Sequence, residues 1–404
     1  MALNITMLFE LGPDDEGGIG GGVELHAINL SKELVKMGHT VTYVTGAIPN
    51  SKETTILDGV VIKRIDYLSL IRKSYDPQQL NFSRQLFFLL KTKLLGKKLH
   101  EEVEDTDIFH GHIYSAGLAA YSLGKKRKGK SINTIHGSYY KYWNELTKNP
   151  LSAWFYKGME RRLAPYLAKK TDSQIHTDFD FAETVKKWSK PNVSSKIFTV
   201  LNGVDVDKFN YKTTPNQSVL NDNGPIIMTT RRLVVKNGVI FLVRSFKKIV
   251  GVYPSAKLYV IGDGPERSRI ENEVRKLGIE KSVNFVGMVP NNQIPSFLSA
   301  ADVIAVPSIV EASSISVLEA MAMKKPVVAS DIPGIREITN KGKHCVLVRS
   351  KDTTKLADGI LSLLNDKEKA DYVAQSGHDE VINNYSWTQK AKEIEQTYFN
   401  ALDH

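Results

Sequence analysis

Cysteine is nearly missing from this chain. Cys345 stands alone among 404 residues, which excludes a disulfide framework and fits a reducing compartment. It sits in the apolar run CVLV, where an inert buried thiol is expected rather than a nucleophile. Long hydrophobic runs are missing too. No apolar stretch approaches the roughly 18 residues of a spanning helix, and the opening MALNITMLFELG lacks the basic start of a signal peptide. A cytoplasmic protein is expected, with peripheral contact at the cytoplasmic membrane face as a further option. The dinucleotide fingerprint is absent as well. The first glycine run is not G-x-G-x-x-G, and Thr45-Gly46-Ala47 stand where an acid would hold a ribose.

What is present begins with charge. Lys and Arg number 54 against 44 Asp and Glu, a net of +10. This permits attraction to anionic lipid, nucleic acid or phosphorylated substrates without choosing among them. The hydrophobic share of 42% and charged share of 24% are those of an ordinary globular protein. The length is too great for one core and suits two domains.

The pattern of elements agrees. A strand at 5–9 enters the glycine run 17–22, then a helix with apolar spacing from Val23 to Val35, then the strand Val41-Thr42-Tyr43-Val44. That is a βαβ unit on a parallel sheet. Five glycines in six residues point to close approach of a ligand to the backbone, a merely mobile loop being the weaker reading. Further strands are expected at 60–65, 107–112, 132–135, 172–177 and 197–201. Two of them run into His-Gly pairs, at His110-Gly111-His112 and His136-Gly137. Ligands in open parallel sheets sit at strand carboxyl ends, so histidines there are candidate site residues. Residues 211–224 read as a linker. The alternation then restarts, predicting an α/β fold of two Rossmann-like domains facing each other across a cleft: residues 1–208, residues 209–385, and a last helix at 386–404 returning to the first domain.

The stretch PSIVEASSISVLEAMAM, residues 307–323, joins a strand to a small-residue helix. Ser313 or Ser314 can cap that helix, leaving the N–H groups of Ile315 and Ser316 free for an anion. Glu319 lies inside it with no cation at i±3 or i±4, an odd place for a solvated charge. A helix-dipole glutamate is the plainer alternative.

With its neighbours, this stretch resembles the E-x7-E segment of retaining glycosyltransferases of family 4, which have the GT-B fold. The supporting pieces occur in the family's order across nearly the whole chain: GGIGGGVELHAINLSKELVKMGHTVTYVT, DIFHGHIYSAGL, INTIHG, LNGVDVDKF, RRLVVKNGV, IGDGP, VNFVG and YSWTQKAKEIEQTY. The resemblance implies transfer of a sugar from a nucleoside-diphosphate sugar, with anomeric configuration retained and no metal or other cofactor. No DxD-like motif stands at a strand end. An arginine and a lysine would neutralise the leaving diphosphate. Arg232 with Lys236 is the preferred pair and Arg231, which keeps the family's spacing to Lys236, the other candidate. Glu319 would bind the ribose hydroxyls, Glu311 would face the donor sugar, and the N–H groups near Ser314, Ile315 and Ser316 would hold diphosphate or sugar oxygens. His112 would sit near the reacting sugar. Gly20, Gly21 and Gly22 would let donor and acceptor approach, while Gly262, Asp263, Gly264 and Met288 would line the nucleotide. Where the family often has EGFG, this chain has Glu311-Ala312-Ser313-Ser314, and Lys324-Lys325 precede the PVV strand in place of a small residue.

The expected partners are a nucleotide-sugar donor and a lipid-linked or polysaccharide acceptor. The basic amphipathic segment 81–99 and the cluster 125–130 could touch an anionic membrane, although a core-packed helix and a solvated loop are the alternatives. A nucleotide-sugar epimerase of the same fold is the competing enzyme. A nucleic-acid or membrane binder without activity ranks last, because the basic residues are not interleaved with a stacking aromatic platform.

Overall fold

The computed structural model describes residues 1–15, 21–47, 51–65, 105–146, 149–220 and 223–403. The helix expected at 81–99 lies outside them, as do Gly20 and the glycines before it. The chain divides into two units, one of Met1–Leu201 with Trp387–His404, the other of Asn202–Ser386. The division precedes residue 208 because the turn after Leu201 is tied into the second unit. The Asn202 side chain donates to the Ser313 carbonyl at 2.8 Å, and Val204 bridges to Ser386.

In the first unit the described strands are β1 (Asn4–Leu8), β2 (Thr40–Gly46), β3 (Thr54–Leu57), β4 (Val60–Ile65), β5 (Ile108–His112), β6 (Lys130–Ile135), β7 (Ser173–His176) and β8 (Ile197–Thr199). They form one sheet in the order β3-β4-β2-β1-β5-β6-β7-β8. All described pairings are parallel except β3 with β4. That hairpin turns on Asp58 and Gly59, both at positive φ (50° and 83°), the geometry an Asp-Gly pair favours between two strands. Helices cover both faces of the parallel part, so β5 is buried at every residue. The helix Trp387–Leu402 lays Trp387, Ala391, Ile394 and Tyr398 into the core of this unit, against the helix Gly22–Lys36. His39 Nε2 to Glu395 at 2.8 Å and Thr388 to Glu33 at 2.8 Å fix its register.

The second unit holds β9 (Ile226–Thr230), β10 (Lys257–Ile261), β11 (Val283–Gly287), β12 (Val303–Val306), β13 (Val327–Ser330) and β14 (Val346–Val348). Its order is β11-β10-β9-β12-β13-β14, parallel throughout. Counted within the unit this is 3-2-1-4-5-6, the Rossmann order, whose connections diverge between β9 and β12. In the first unit they diverge between β1 and β5. Both candidate clusters lie at these points. Cys345 is buried and burial pushes its thiol far up, as an inert core thiol requires.

Candidate active site

In the second unit, β9 delivers Arg231 and β12 delivers the loop Pro307–Ser314. Arg231 is buried and bonded on three sides: to Glu311, to Asn237 at 2.8 Å and to the Ser314 hydroxyl at 3.2 Å. Ser308 donates to Glu311 at 3.2 Å. Burial alone would raise the Glu311 carboxyl, but the charges of Arg231 and Lys236 outweigh it and hold it below its ordinary range. Arg232, the next residue, is exposed. Of the two arginines weighed from the sequence, Arg231 is therefore the one assembled with Glu311 and Ser314. Arg231 is the first residue after β9 and its N–H still donates to the Ile261 carbonyl at 2.9 Å, which ties it to the sheet edge beside the β12 loop.

Ser314 occupies the N-cap of the helix Ile315–Ala322, yet its side chain makes no cap bond. Its hydroxyl accepts from Arg231 instead. The Ser316 hydroxyl donates to the Thr230 carbonyl at 3.2 Å. Glu319, on the same helix, is only 8% exposed. Burial pushes its carboxyl up to about 7, with Lys208 and Arg231 pulling the other way. Sequence spacing showed no cation near Glu319. Lys208 comes from the turn that begins the second unit, a tertiary approach that helix periodicity cannot reveal.

Glycines let these loops close. Gly262 has φ +128°, and a Cβ there would lie 2.2 Å from the Arg231 carbonyl oxygen. Gly238 has φ +65°, and its Cβ would lie 2.1 Å from the Pro307 carbonyl. Asp263 sits between Gly262 and Gly264, accepting from the Gly264 N–H at 2.7 Å and from Arg267 at 2.9 Å. Met288 is exposed directly beyond β11.

The first unit gathers four histidines. His110 and His112 end β5, His136 follows β6, and His26 comes from the helix Gly22–Lys36, whose N-cap is Gly21. His112 Nδ1 is 2.9 Å from His136 Nε2, and His112 stacks on His110 at 4.5 Å. His26 meets His136 edge-on at 4.5 Å and Trp387 at 4.9 Å. Burial, then the neighbouring imidazoles, push His112 and His136 well below the usual histidine range, and His110 to about 3. The stack is neutral at physiological pH. His26, His112 and His136 also offer nitrogens within 4.8 Å of one another, a possible metal triad. The Nδ1 of His112 is engaged with His136, while its buried Nε2 has no hydrogen-bond partner among the described residues.

Two features escaped the sequence reading. Ile113, directly after His112, has φ +65°, an unfavourable conformation for a β-branched residue. Asn133 on β6 holds it there. In the orientation that satisfies both ends of its amide, its nitrogen donates to the Gly111 and Ile113 carbonyls at 3.0 and 2.9 Å. Glu160, inside the helix Pro150–Lys170, accepts from Ser138 and from Trp143 Nε1 at 3.1 Å. It anchors the loop after His136, and burial raises its carboxyl. Both signals are tertiary.

Comparison with known proteins decides the family. Residues 20–208 match Glycosyltransferase Family 4, and residues 210–380 match the glycosyl transferases group 1. This chain is a family-4 glycosyltransferase. It is 26% identical to an uncharacterised glycosyltransferase of Methanocaldococcus jannaschii, over 95% of this chain and 96% of that protein. Its fold matches sucrose-phosphate synthase from Thermosynechococcus elongatus, with a TM-score of 0.80, 21% identity and 99% of each chain covered. It also matches Anabaena HepE in complex with UDP-glucose, with a TM-score of 0.73, 16% identity, and 98% and 100% coverage. The glycosyltransferase thus has the GT-B fold, two Rossmann-like units each built on a mostly parallel sheet.

Proposed function

We propose that this glycosyltransferase moves a hexose or N-acetylhexosamine from a nucleoside-diphosphate sugar to a lipid-linked or polysaccharide acceptor, retaining the anomeric configuration and needing no metal. The observation that carries this reading is the Arg231–Glu311–Ser314 cluster at the N-terminus of the helix Ile315–Ala322, with Lys236 beside it. As the bond from the anomeric carbon to the phosphate oxygen breaks, negative charge grows on the leaving diphosphate. Arg231 and Lys236 offset that charge, and the helix N–H groups of Ile315 and Ser316 add partial positive charge. Arg231, rather than Arg232, takes this role. Glu319 binds the ribose hydroxyls, and Gly262, Asp263 and Gly264 flank the nucleotide. Neutral His112 offers its Nε2 to a sugar hydroxyl. Same-face attack assisted by the leaving phosphate accounts for retention without a covalent intermediate. The enzyme works at the cytoplasmic side, and the exposed residues of 125–130 favour contact with an anionic membrane.

Thermal-shift measurement against UDP-, GDP- and ADP-sugars tests the donor half. One nucleotide series should raise Tm in proportion to ln(1 + [L]/Kd). Release of nucleoside diphosphate only when acceptor is present supports transfer. An epimerised free sugar formed without acceptor would favour the epimerase instead.

A further inference from the structure

The outward face of the helix Pro150–Lys170 has a composition that water alone does not explain. Its inward face is ordinary: Ala153, Tyr156, Ala164 and Leu167 are buried. At 100° per residue, Leu151, Trp154, Arg161, Arg162, Tyr166 and Lys169 share the opposite side. Leu151 is 76% exposed and Trp154 74%, two large apolar side chains adjacent at i,i+3. The helix carries five cations, Lys157, Arg161, Arg162, Lys169 and Lys170, and a single acid, Glu160. That acid is turned inward onto Ser138 and Trp143. The exposed face therefore has cations and apolar groups and no carboxylate.

The same character continues onto the next helix. Lys170 Nζ lies 5.7 Å over the Tyr121 ring of the helix Ile113–Arg127. The last turn of that helix exposes Lys125, Lys126 and Arg127. A solvated helix normally mixes charges of both signs. Tryptophan and leucine set among lysines and arginines suit one environment in particular. The indole settles at headgroup level, the leucine enters the acyl boundary, and the cations meet lipid phosphates.

We propose that this face is a docking surface for an anionic lipid bilayer, with Trp154 and Leu151 entering the interface. It extends the membrane contact read above to a second helix, and depends on neither the donor nor the acceptor. A second copy of the chain fits poorly, because a two-fold contact through this face would set like charges against each other.

The test is co-sedimentation of the full chain with phosphatidylcholine vesicles, with or without 30% phosphatidylglycerol as the chosen composition (about a third of anionic lipid). Binding should require phosphatidylglycerol and weaken at high salt. Trp154→Ser and Arg161→Glu/Arg162→Glu should each lower the partition coefficient about tenfold. Gly158→Leu, on the same face with open space around its Cβ, should raise it. Circular dichroism confirms that the variants fold. Transfer to a short soluble acceptor should be unchanged in all of them, which separates loss of docking from loss of the proposed chemistry. Equal binding to neutral vesicles, or unchanged binding by Trp154→Ser, overturns the proposal. So does a dimer that Trp154→Ser converts to monomer while vesicles remain unbound.

Discussion

The Tyr398 hydroxyl is hydrogen-bonded to His110 Nδ1 at 2.6 Å, joining residues 288 apart in the chain. The other nitrogen of His110 meets the Thr134 hydroxyl at 2.7 Å. A neutral imidazole donates through one nitrogen and accepts through the other, and a hydroxyl can do either, so the two hydroxyls together satisfy both nitrogens and hold the ring in place. Through its stacking on His112, His110 then sets the plane of the ring proposed to meet the sugar. Tyr398→Phe should cost about 1–3 kcal/mol, because it leaves a buried polar nitrogen unmatched. Urea unfolding followed by tryptophan fluorescence measures it, since Trp143, Trp154, Trp188 and Trp387 all lie in the first unit. An unchanged midpoint would mean that water replaces the hydroxyl without cost.

Buried histidines and buried carboxyls should respond to pH in opposite directions. His110 and His176 are each pushed by burial to about 3. A histidine with a lowered folded pKa binds its proton more readily when unfolded, so the contribution of these two is lost as pH falls from about 6.5 towards 3, whereas Asp178 of the same unit, pushed up to about 6 by burial, costs stability as pH rises from about 3.8 to 6. Glu319 is raised to about 7. Its unfolded carboxyl ionises near 4.5, so the second unit loses stability as pH rises from about 4.5 to 7. Glu319→Gln should leave stability unchanged near pH 4.5 and raise it on the order of 3 kcal/mol above pH 7. Denaturant titrations of both proteins by circular dichroism, across pH 4.5–8, give the difference directly.

The same carboxyl predicts a pH-dependent affinity. Ribose hydroxyls that donate to Glu319 favour its ionised form, so nucleotide binding releases a proton below pH 7. Affinity should rise with pH, approaching about tenfold per unit well below 7 and levelling above it. Calorimetry in buffers of different ionisation enthalpy counts the proton. A flat affinity from pH 5.5 to 8 would remove the ribose role from Glu319.

How much of this was legible depends on the range of the signal. Strands reaching His112 and His136, and the helix that carries Glu319, follow from local apolar runs and small-residue spacing. The hairpin of β3 and β4 is equally local, since Leu57-Asp58-Gly59-Val60 is a turn signal between β-formers. Arg231 against Arg232 is different. Adjacent arginines just past a strand end are equivalent in composition, and only their burial against the β12 loop separates them. The positions of Lys208, Asn133 and Glu160 depend on partners from 17 residues away (Trp143 for Glu160) to 111 away (Glu319 for Lys208), beyond any periodicity.

That distinction predicts unequal arginines. Arg231→Met should cut kcat/KM for transfer by about 100-fold or more, as loss of a charge-stabilising donor does. It should also destabilise the second unit by about 3–5 kcal/mol, because Glu311 is left buried without its cation. Arg232→Met, exposed, should stay within about 0.5 kcal/mol of the parent. Assays of nucleoside-diphosphate release, alongside melting curves, distinguish them. The reverse ranking would return the diphosphate role to Arg232.

Gly262 offers the sharpest control on how the arginine is placed. Its φ of +128° is one that side chains rarely adopt, and a Cβ would press on the Arg231 carbonyl at 2.2 Å. Gly262→Ala must therefore move the backbone at Arg231, and the guanidinium with it. The expected cost is about 1–3 kcal/mol of stability. Stabilisation by the nucleotide-sugar should fall as well, since the shifted arginine no longer meets the Ser314 helix end squarely. Gly251 is the matched comparison. It lies in the helix Val239–Val252 with nothing within 4 Å of a built Cβ, so Gly251→Ala should stabilise by about 0.5–1 kcal/mol and leave ligand stabilisation intact. If both alanines behave alike, the close approach of β10 to Arg231 does not govern the site.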